Sequence, residues 1–476
     1  MTLKNLLLGT LTWVILLIFL SIPLTILIIW KVGVIIAAKI LRPDLFLPNA
    51  TDCMFSNVGN GWEKSTVNVG FVCQIDGVLN VAEVRELFVV KFFSNGVPAY
   101  DRLRSTIEIW GKFGFFKKLG EVDVNRKILE KTLPEGQILE DFVVSWMLEK
   151  YEENSSCWEI IVVGWVGFDK TVVGFKIHHA FADGYTLLYI LEKLTGNSSS
   201  PYLVKDFEDS VGKRTLQMLE VPSHLPGKMK GPGPQGSPLA CQRVYPFPVV
   251  FSFSRLDLDI LKRVRRAHNV HFCSIILSLL ATSLRRYLLE DKAVLELPPH
   301  LFMATTLPWP KHPTKNPDSL ENEKMCNHFV SAVFNAPIGE ESPLERLLQI
   351  EKTLVELQEL GVTKFFKLIV FPLFWLFPSM GFGSDYGLAG GYTGTLGGTG
   401  YTLLGKPVTQ INQVMALQDV DPFMATNTFS FTHSNLFELT LSVNKQHFGD
   451  REAVEKISKV YMPEELAKLG ADLDLK

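Results

Sequence analysis

The chain has 476 residues, with 47 lysines and arginines against 50 aspartates and glutamates, for a formal net charge of −3. Hydrophobic residues make up 47% and charged residues 20%, which excludes a disordered or fibrous chain. The near-neutral balance leaves no basic footprint for nucleic acid, and the length calls for two packed units plus appendages.

The first element is apolar. Leu6 to Trp30 read LLLGTLTWVILLIFLSIPLTILIIW without a charge. At 1.5 Å per residue that stretch rises about 37 Å, enough to cross a hydrocarbon core of about 30 Å. A secretory signal core is shorter, about 7 to 15 residues, so residues 1–42 read as a retained membrane anchor. Pro23 either kinks this helix or turns it into a hairpin within one leaflet. Lys31, Lys39 and Arg42 follow the span, and Lys4 precedes it. By the positive-inside tendency the body then faces the cytoplasm, with the anchor in the endoplasmic reticulum or a related internal membrane. Val32 to Ile40 continue as an interfacial helix.

Residues 43–200 form the first lobe. Helical periodicity appears at 80–96 and 137–152. Two apolar runs follow, IIVVGWVGF at 160–168 and TVVGFKI at 171–177, and Asp169-Lys170 between them reads as a hairpin turn. The segment DGYTLLYILEKL has helical period and stops near Gly196. Residues 201–243 are dense in Pro, Gly and Ser and read as an interlobe linker without structure of its own.

Residues 244–476 form the second lobe. It opens on a strand, PFPVVFSFS, and then a long helix, CSIILSLLATSLRRYLLED. Further strands are expected at 299–307, 327–335, 404–416 and 425–446. FFKLIVFPLFWLF at 365–377 is too short to span a membrane and too apolar for a solvated surface, so it is a core helix, a lipid-dipping face or the wall of an acyl tunnel. The run GLAGGYTGTLGGTGYTLLG lacks a lysine in phosphate-loop spacing and reads as backbone packed closely beside a substrate. Cys53, Cys73, Cys157, Cys241, Cys273 and Cys326 are scattered, with no metal-ligand spacing, and read as buried or free thiols.

The chemistry sits in HHAFADG, residues 178–184, between a strand end and a helix start. Adjacent residues on a strand point to opposite faces, so His178 and His179 do not chelate one metal ion together. One ring facing a cavity suffices as a general base, because imidazole titrates near neutral pH. Asp183 folds back to hold the loop or the imidazole, and Gly184 permits the turn. No G-x-S-x-G elbow is present, which favours direct attack of a deprotonated acceptor on an activated acyl group.

The HHxxxDG pattern resembles that of the CoA-dependent acyltransferase superfamily, and the wax ester synthase/diacylglycerol acyltransferase family within it. NATDCMFSNV at 49–58 is similar to that family's opening stretch, with Asp52 and Phe55 in register. LLGKPVTQINQV at 403–414 and FELTLSVNKQHFGDREAVEKI at 437–457 resemble its carboxyl-terminal pattern. Two departures stand out: Cys273-Ser274 replace an Asn-Asp pair, and Gly394 to Thr399 lack the family's asparagine. The resemblance implies an α/β fold of two chloramphenicol-acetyltransferase-like lobes with a central tunnel. It implies acyl transfer from acyl-CoA, a co-substrate and not a resident cofactor, to a fatty alcohol or diacylglycerol. His179 would be the base, His178 and Asp183 supporting residues and Gly184 conformational. Two other readings stay open, a non-catalytic membrane-anchored lipid-binding protein on the same fold and an N-acyl condensation activity.

Overall fold

The computed structural model describes residues 3–56, 67–94, 98–165, 169–197, 210–228, 239, 249–316, 318–320, 324–377, 389–417 and 425–474. The far end of the 160–168 run, most of the Pro/Gly-rich linker and the start of the glycine-rich run lie outside the described residues.

Two six-stranded mixed sheets organise the body. The first runs, in spatial order, Thr402–Leu403, Lys406–Leu417, Val67–Asp76, Lys170–His178, Trp158–Trp165 and Ile128–Leu133. The second runs Phe329–Ala336, Leu301–Pro308, Gly390–Leu396, Thr426–His433, Leu436–Asn444 and Val249–Leu256. The strands expected in the second half are all present, and 425–446 resolves into an antiparallel pair joined at Ser434-Asn435. Lys406–Leu417 leaves the second lobe to pair antiparallel with Val67–Asp76 of the first, placing Val414 opposite Gly70. A strand from late in the chain thereby closes the first lobe's sheet and ties the two lobes together.

Each sheet covers its own core. In the first, Trp158 is fully buried, stacks on Phe88 with ring centroids 4.7 Å apart and donates its indole N–H to the Leu103 carbonyl at 2.7 Å. In the second, the helix Phe272–Arg286 is buried along nearly its whole length, which explains its uninterrupted apolar sequence. Cys273 and Ser274 sit at its start, on Thr305 (3.2 Å) and Glu351 (2.7 Å).

One open alternative is decided, and one expectation needs correction. The apolar segment expected as an anchor is one continuous helix, Leu3–Leu41, with Pro23 inside it and no hairpin. Proline removes one backbone donor, and the neighbouring turns carry the helix across that gap. Within the linker 201–243 stands an 18-residue helix, Val211–Lys228, despite Pro222 and Pro226. Tertiary contacts stabilise it where local propensity does not. Gln217 donates to the Glu359 carbonyl at 2.6 Å and accepts from Lys364 at 3.0 Å.

Trp158→Ala should destabilise the fold by about 3–5 kcal/mol through cavity formation, read as a lowered urea midpoint of the detergent-solubilised protein. An unchanged midpoint would show that this core is not cooperative with the rest.

Candidate functional site

The strand Lys170–His178 delivers HHAFADG to a cavity between the lobes. His179 lines that cavity with Asp183 and Gly184 of the first lobe and with Thr306, Thr395 and Phe429 of the second. Its backbone N–H donates to Val67 at 2.7 Å, and its carbonyl accepts from Asn327 Nδ2 at 2.7 Å. The ring stacks on Phe55, centroids 3.8 Å apart and planes 10° from parallel. Nδ1 is buried without a well-formed hydrogen bond. Burial lowers the His179 pKa below the ordinary imidazole value, while its own carbonyl and the Asp183 charge pull the other way. The ring is therefore neutral near pH 7 and able to accept a proton.

His178 has a different place. It is 1% exposed, outside the cavity lining, and its Nδ1 accepts from the Ala180 N–H at 3.2 Å. Burial, with the neighbouring His179, lowers its pKa to about 3. The two rings have different surroundings, His179 at the cavity and His178 in the core.

Asp183 holds a histidine, and that histidine is His312. Both carboxylate oxygens lie 3.1 Å from His312 Nε2, and Oδ2 accepts the His328 N–H at 2.8 Å. Oδ1 also accepts the Thr186 N–H at 3.0 Å, which caps the helix Gly184–Thr195. Burial alone would raise the Asp183 pKa, yet His312 and the two N–H donors hold it below the ordinary carboxylate range. His312 is itself oriented by Thr314, whose N–H donates to Nδ1 at 3.2 Å. Gly184 lacks a side chain where one would collide, since a Cβ there would lie 2.9 Å from Thr395 Oγ1.

Sequence reasoning missed four contributors. His312 and Asn327 come from the segment between two strands of the second lobe. Thr395 and Gln413 come from strands of different sheets and meet at 2.8 Å, Gln413 Nε2 donating to Thr395 Oγ1. That bond fills an acceptor position of the hydroxyl and leaves its proton free to donate. The available signal was Asp52: its carboxylate accepts from Asn327 N at 2.9 Å and Nδ2 at 3.0 Å, and pairs with Arg102 at 2.8 Å. Asn327 thus links Asp52 to the His179 carbonyl. Around the helix's far end, Lys91, Lys193, Lys315 and Lys324 line a second cavity of about 430 Å³, in which Lys315 pairs with Glu192 at 2.9 Å.

His178 gives a signed prediction. The folded state keeps it deprotonated down to about pH 3, whereas the unfolded chain takes up a proton near 6.5. Its contribution to stability is therefore present above pH 6.5 and is lost as pH falls toward 3. The urea midpoint should drop between pH 7 and pH 5, and His178→Gln should reduce that drop; an equal drop in the variant would assign the effect elsewhere.

No family model and no curated protein matches the sequence. Solved structures do match over nearly the whole chain. The wax ester synthase/diacylglycerol acyltransferase from Marinobacter aquaeolei VT8 aligns at 14% identity over 90% of this chain and 99% of that one, with a TM-score of 0.55. The first condensation domain of the calcium-dependent antibiotic synthetase, in complex with a substrate analogue, aligns at 12% identity over 90% and 96%, with a TM-score of 0.59. The starter condensation domain of rhizomide synthetase, in complex with C8-CoA and Leu-SNAC, aligns at 8% identity over 91% and 96%, with a TM-score of 0.58. The chain has the two-lobed α/β fold shared by condensation domains and wax ester synthase, preceded by an apolar helix.

Proposed function

We propose that the protein is an O-acyltransferase that moves a long-chain acyl group from acyl-CoA to a fatty alcohol or diacylglycerol. The observation that carries this reading is the neutral, buried His179 ring at an interlobe cavity, with a hydroxyl donor, Thr395, in the same lining.

His179 takes the proton of the acceptor hydroxyl as its oxygen attacks the thioester carbonyl. The negative charge on the carbonyl oxygen is met by the Thr395 hydroxyl, already polarised by Gln413. The C–S bond then breaks, and imidazolium returns its proton to the CoA thiolate, leaving ester, CoA and neutral His179. Asp183 acts as a positioning residue: it fixes the turn that carries His179 and anchors it to His312. Among the described cysteines, a covalent route has no support. Burial raises the Cys326 thiol well above its ordinary pKa and pushes Cys53 and Cys273 up to about 12.

The lysine-lined cavity beside Gly196 suits the phosphates of CoA, as a cluster of ammonium groups would. The cavity at His179 holds only about 90 Å³, below the roughly 300 Å³ at the low end of ligand pockets. Productive binding therefore requires side chains or lobes to move apart.

Membranes containing the protein should esterify a long-chain alcohol or diacylglycerol with labelled acyl-CoA. His179→Ala should lose about 10² or more of that rate, and Thr395→Val about 10²–10³ in kcat, with Thr395→Ser recovering much of it. Full activity in folded His179→Ala would refute the mechanism. The pair Lys193→Ala and Lys324→Ala should raise KM for acyl-CoA and weaken its dependence on salt while leaving kcat nearly unchanged; an unchanged KM would move the CoA site elsewhere.

A further inference from the structure

We propose that the helix Leu3–Leu41 lies in the plane of one membrane leaflet, with residues 365–377 beside it, and does not cross the bilayer. This inference concerns how the chain meets lipid and stands apart from the acyl-transfer reading.

The helix is seated on the folded body at two separate places. Near its start, Gly9 packs so closely on Val211–Lys228 that a Cβ would come within 2.1 Å of the Leu219 carbonyl oxygen. Trp13 donates its indole N–H to the Met218 carbonyl at 2.9 Å and meets Phe365 edge-on at 5.8 Å. Near its end, Trp30 packs edge-on against Phe113 at 5.2 Å, and Lys31 is fully buried, with Nζ 4.1 Å from the Phe113 ring and 4.8 Å from that of Trp375. Arg42, just past the helix, pairs with Glu108 at 2.6 Å.

Trp13 and Lys31 are 18 residues apart, which is about 27 Å along the axis and close to the thickness of the hydrocarbon core. A transverse helix would put its first seat on one side of the bilayer and its second on the other. The first seat cannot be placed there. Val211–Lys228 carries Lys213, Arg214 and Glu220, too many charges for hydrocarbon, and Gln217 bonds it to Glu359 and Lys364 of the second lobe. The second seat is the hairpin Ser105–Lys118 of the first lobe. Both belong to one body, so the helix lies along that body.

What covers its outer side is lipid. Residues 14–23 are exposed all round and apolar apart from Ser21. The exposed charged residues of the helix are Lys4 and Lys39, with no acidic residue, which complements anionic headgroups. Residues 365–377 extend the same surface. Phe365 touches Trp13, Trp375 touches Lys31, and Leu368, Ile369 and Phe377 are exposed. The lysine inside that stretch turns inward: Lys367 donates to Thr51 at 2.9 Å and to the Phe329 carbonyl at 3.0 Å. Phe371 packs against Phe329, and Phe329 lines the cavity of His179. The membrane face thus backs directly onto one wall of the site.

The test is glycosylation mapping of the full chain translated into microsomes. One version carries an acceptor sequon on an amino-terminal tail and another carries it on a carboxyl-terminal tail. An in-plane helix keeps both tails on one side, so both should be modified or both unmodified, with the protein retained in the membranes after a high-salt wash. Modification of one tail alone would establish a transverse helix and overturn the proposal. Removal of the amino-terminal tail by cleavage, or release of the protein by salt, would overturn it as well. None of these outcomes depends on catalytic activity.

Discussion

The carboxylate of Asp183 is the contact on which the rest of the site depends. It is almost wholly buried, and a buried charge persists only when its partners replace water. Four bonds do so: the N–H groups of Thr186 and His328 and a forked contact to His312. Thr186 belongs to the first turn of the helix that follows the HHAFADG loop, whereas His312 and His328 belong to the second lobe. One side chain therefore caps a helix, fixes the loop that carries His179 and binds the lobes across the cavity. Removing it would take the carboxylate from His312 and the cap from the helix start, which is why its substitution should disturb geometry before chemistry.

A second buried carboxylate works beside it. Asp52 holds Asn327, and Asn327 holds the His179 carbonyl. With Phe55 stacked on the ring, His179 is constrained through its backbone, its face and its loop. Fixed groups that need no rearrangement during reaction are what electrostatic catalysis requires. The same confinement keeps the imidazole neutral, because desolvation outweighs the nearby negative charge. The small cavity is a consequence of this packing, and a larger ligand must displace apolar side chains to enter. The site wall closest to the apolar surface, Phe329 on Phe371, is made of such side chains.

Much of the site is legible in the amino-acid sequence. The strand that ends on His178, the turn with Asp183 and the helix after Gly184 follow from period and capping chemistry alone. Strand alternation separates the two histidines, with His179 at the cavity and His178 in the core. Resemblance marks Asp52 and Phe55, and their contacts to Asn327 and His179 give those positions a physical meaning. Partners from distant segments are not legible in the same way. His312 lies 129 residues from Asp183, and Thr395 meets Gln413 only because Lys406–Leu417 crosses to the first sheet. Nothing local in those segments specifies such a crossing. The helix Val211–Lys228 is hidden for another reason: its two prolines disfavour helix, and contacts with Leu3–Leu41 and the second lobe overrule them.

The central claim is direct attack on acyl-CoA with His179 as base and no acyl-enzyme. Intact-protein mass spectrometry after incubation with acyl-CoA, first without and then with an alcohol acceptor, tests it most directly. The account predicts an unchanged protein mass in the first case, and equal amounts of ester and free CoA in the second. A protein mass increased by one acyl group, removed when acceptor is added, would contradict it.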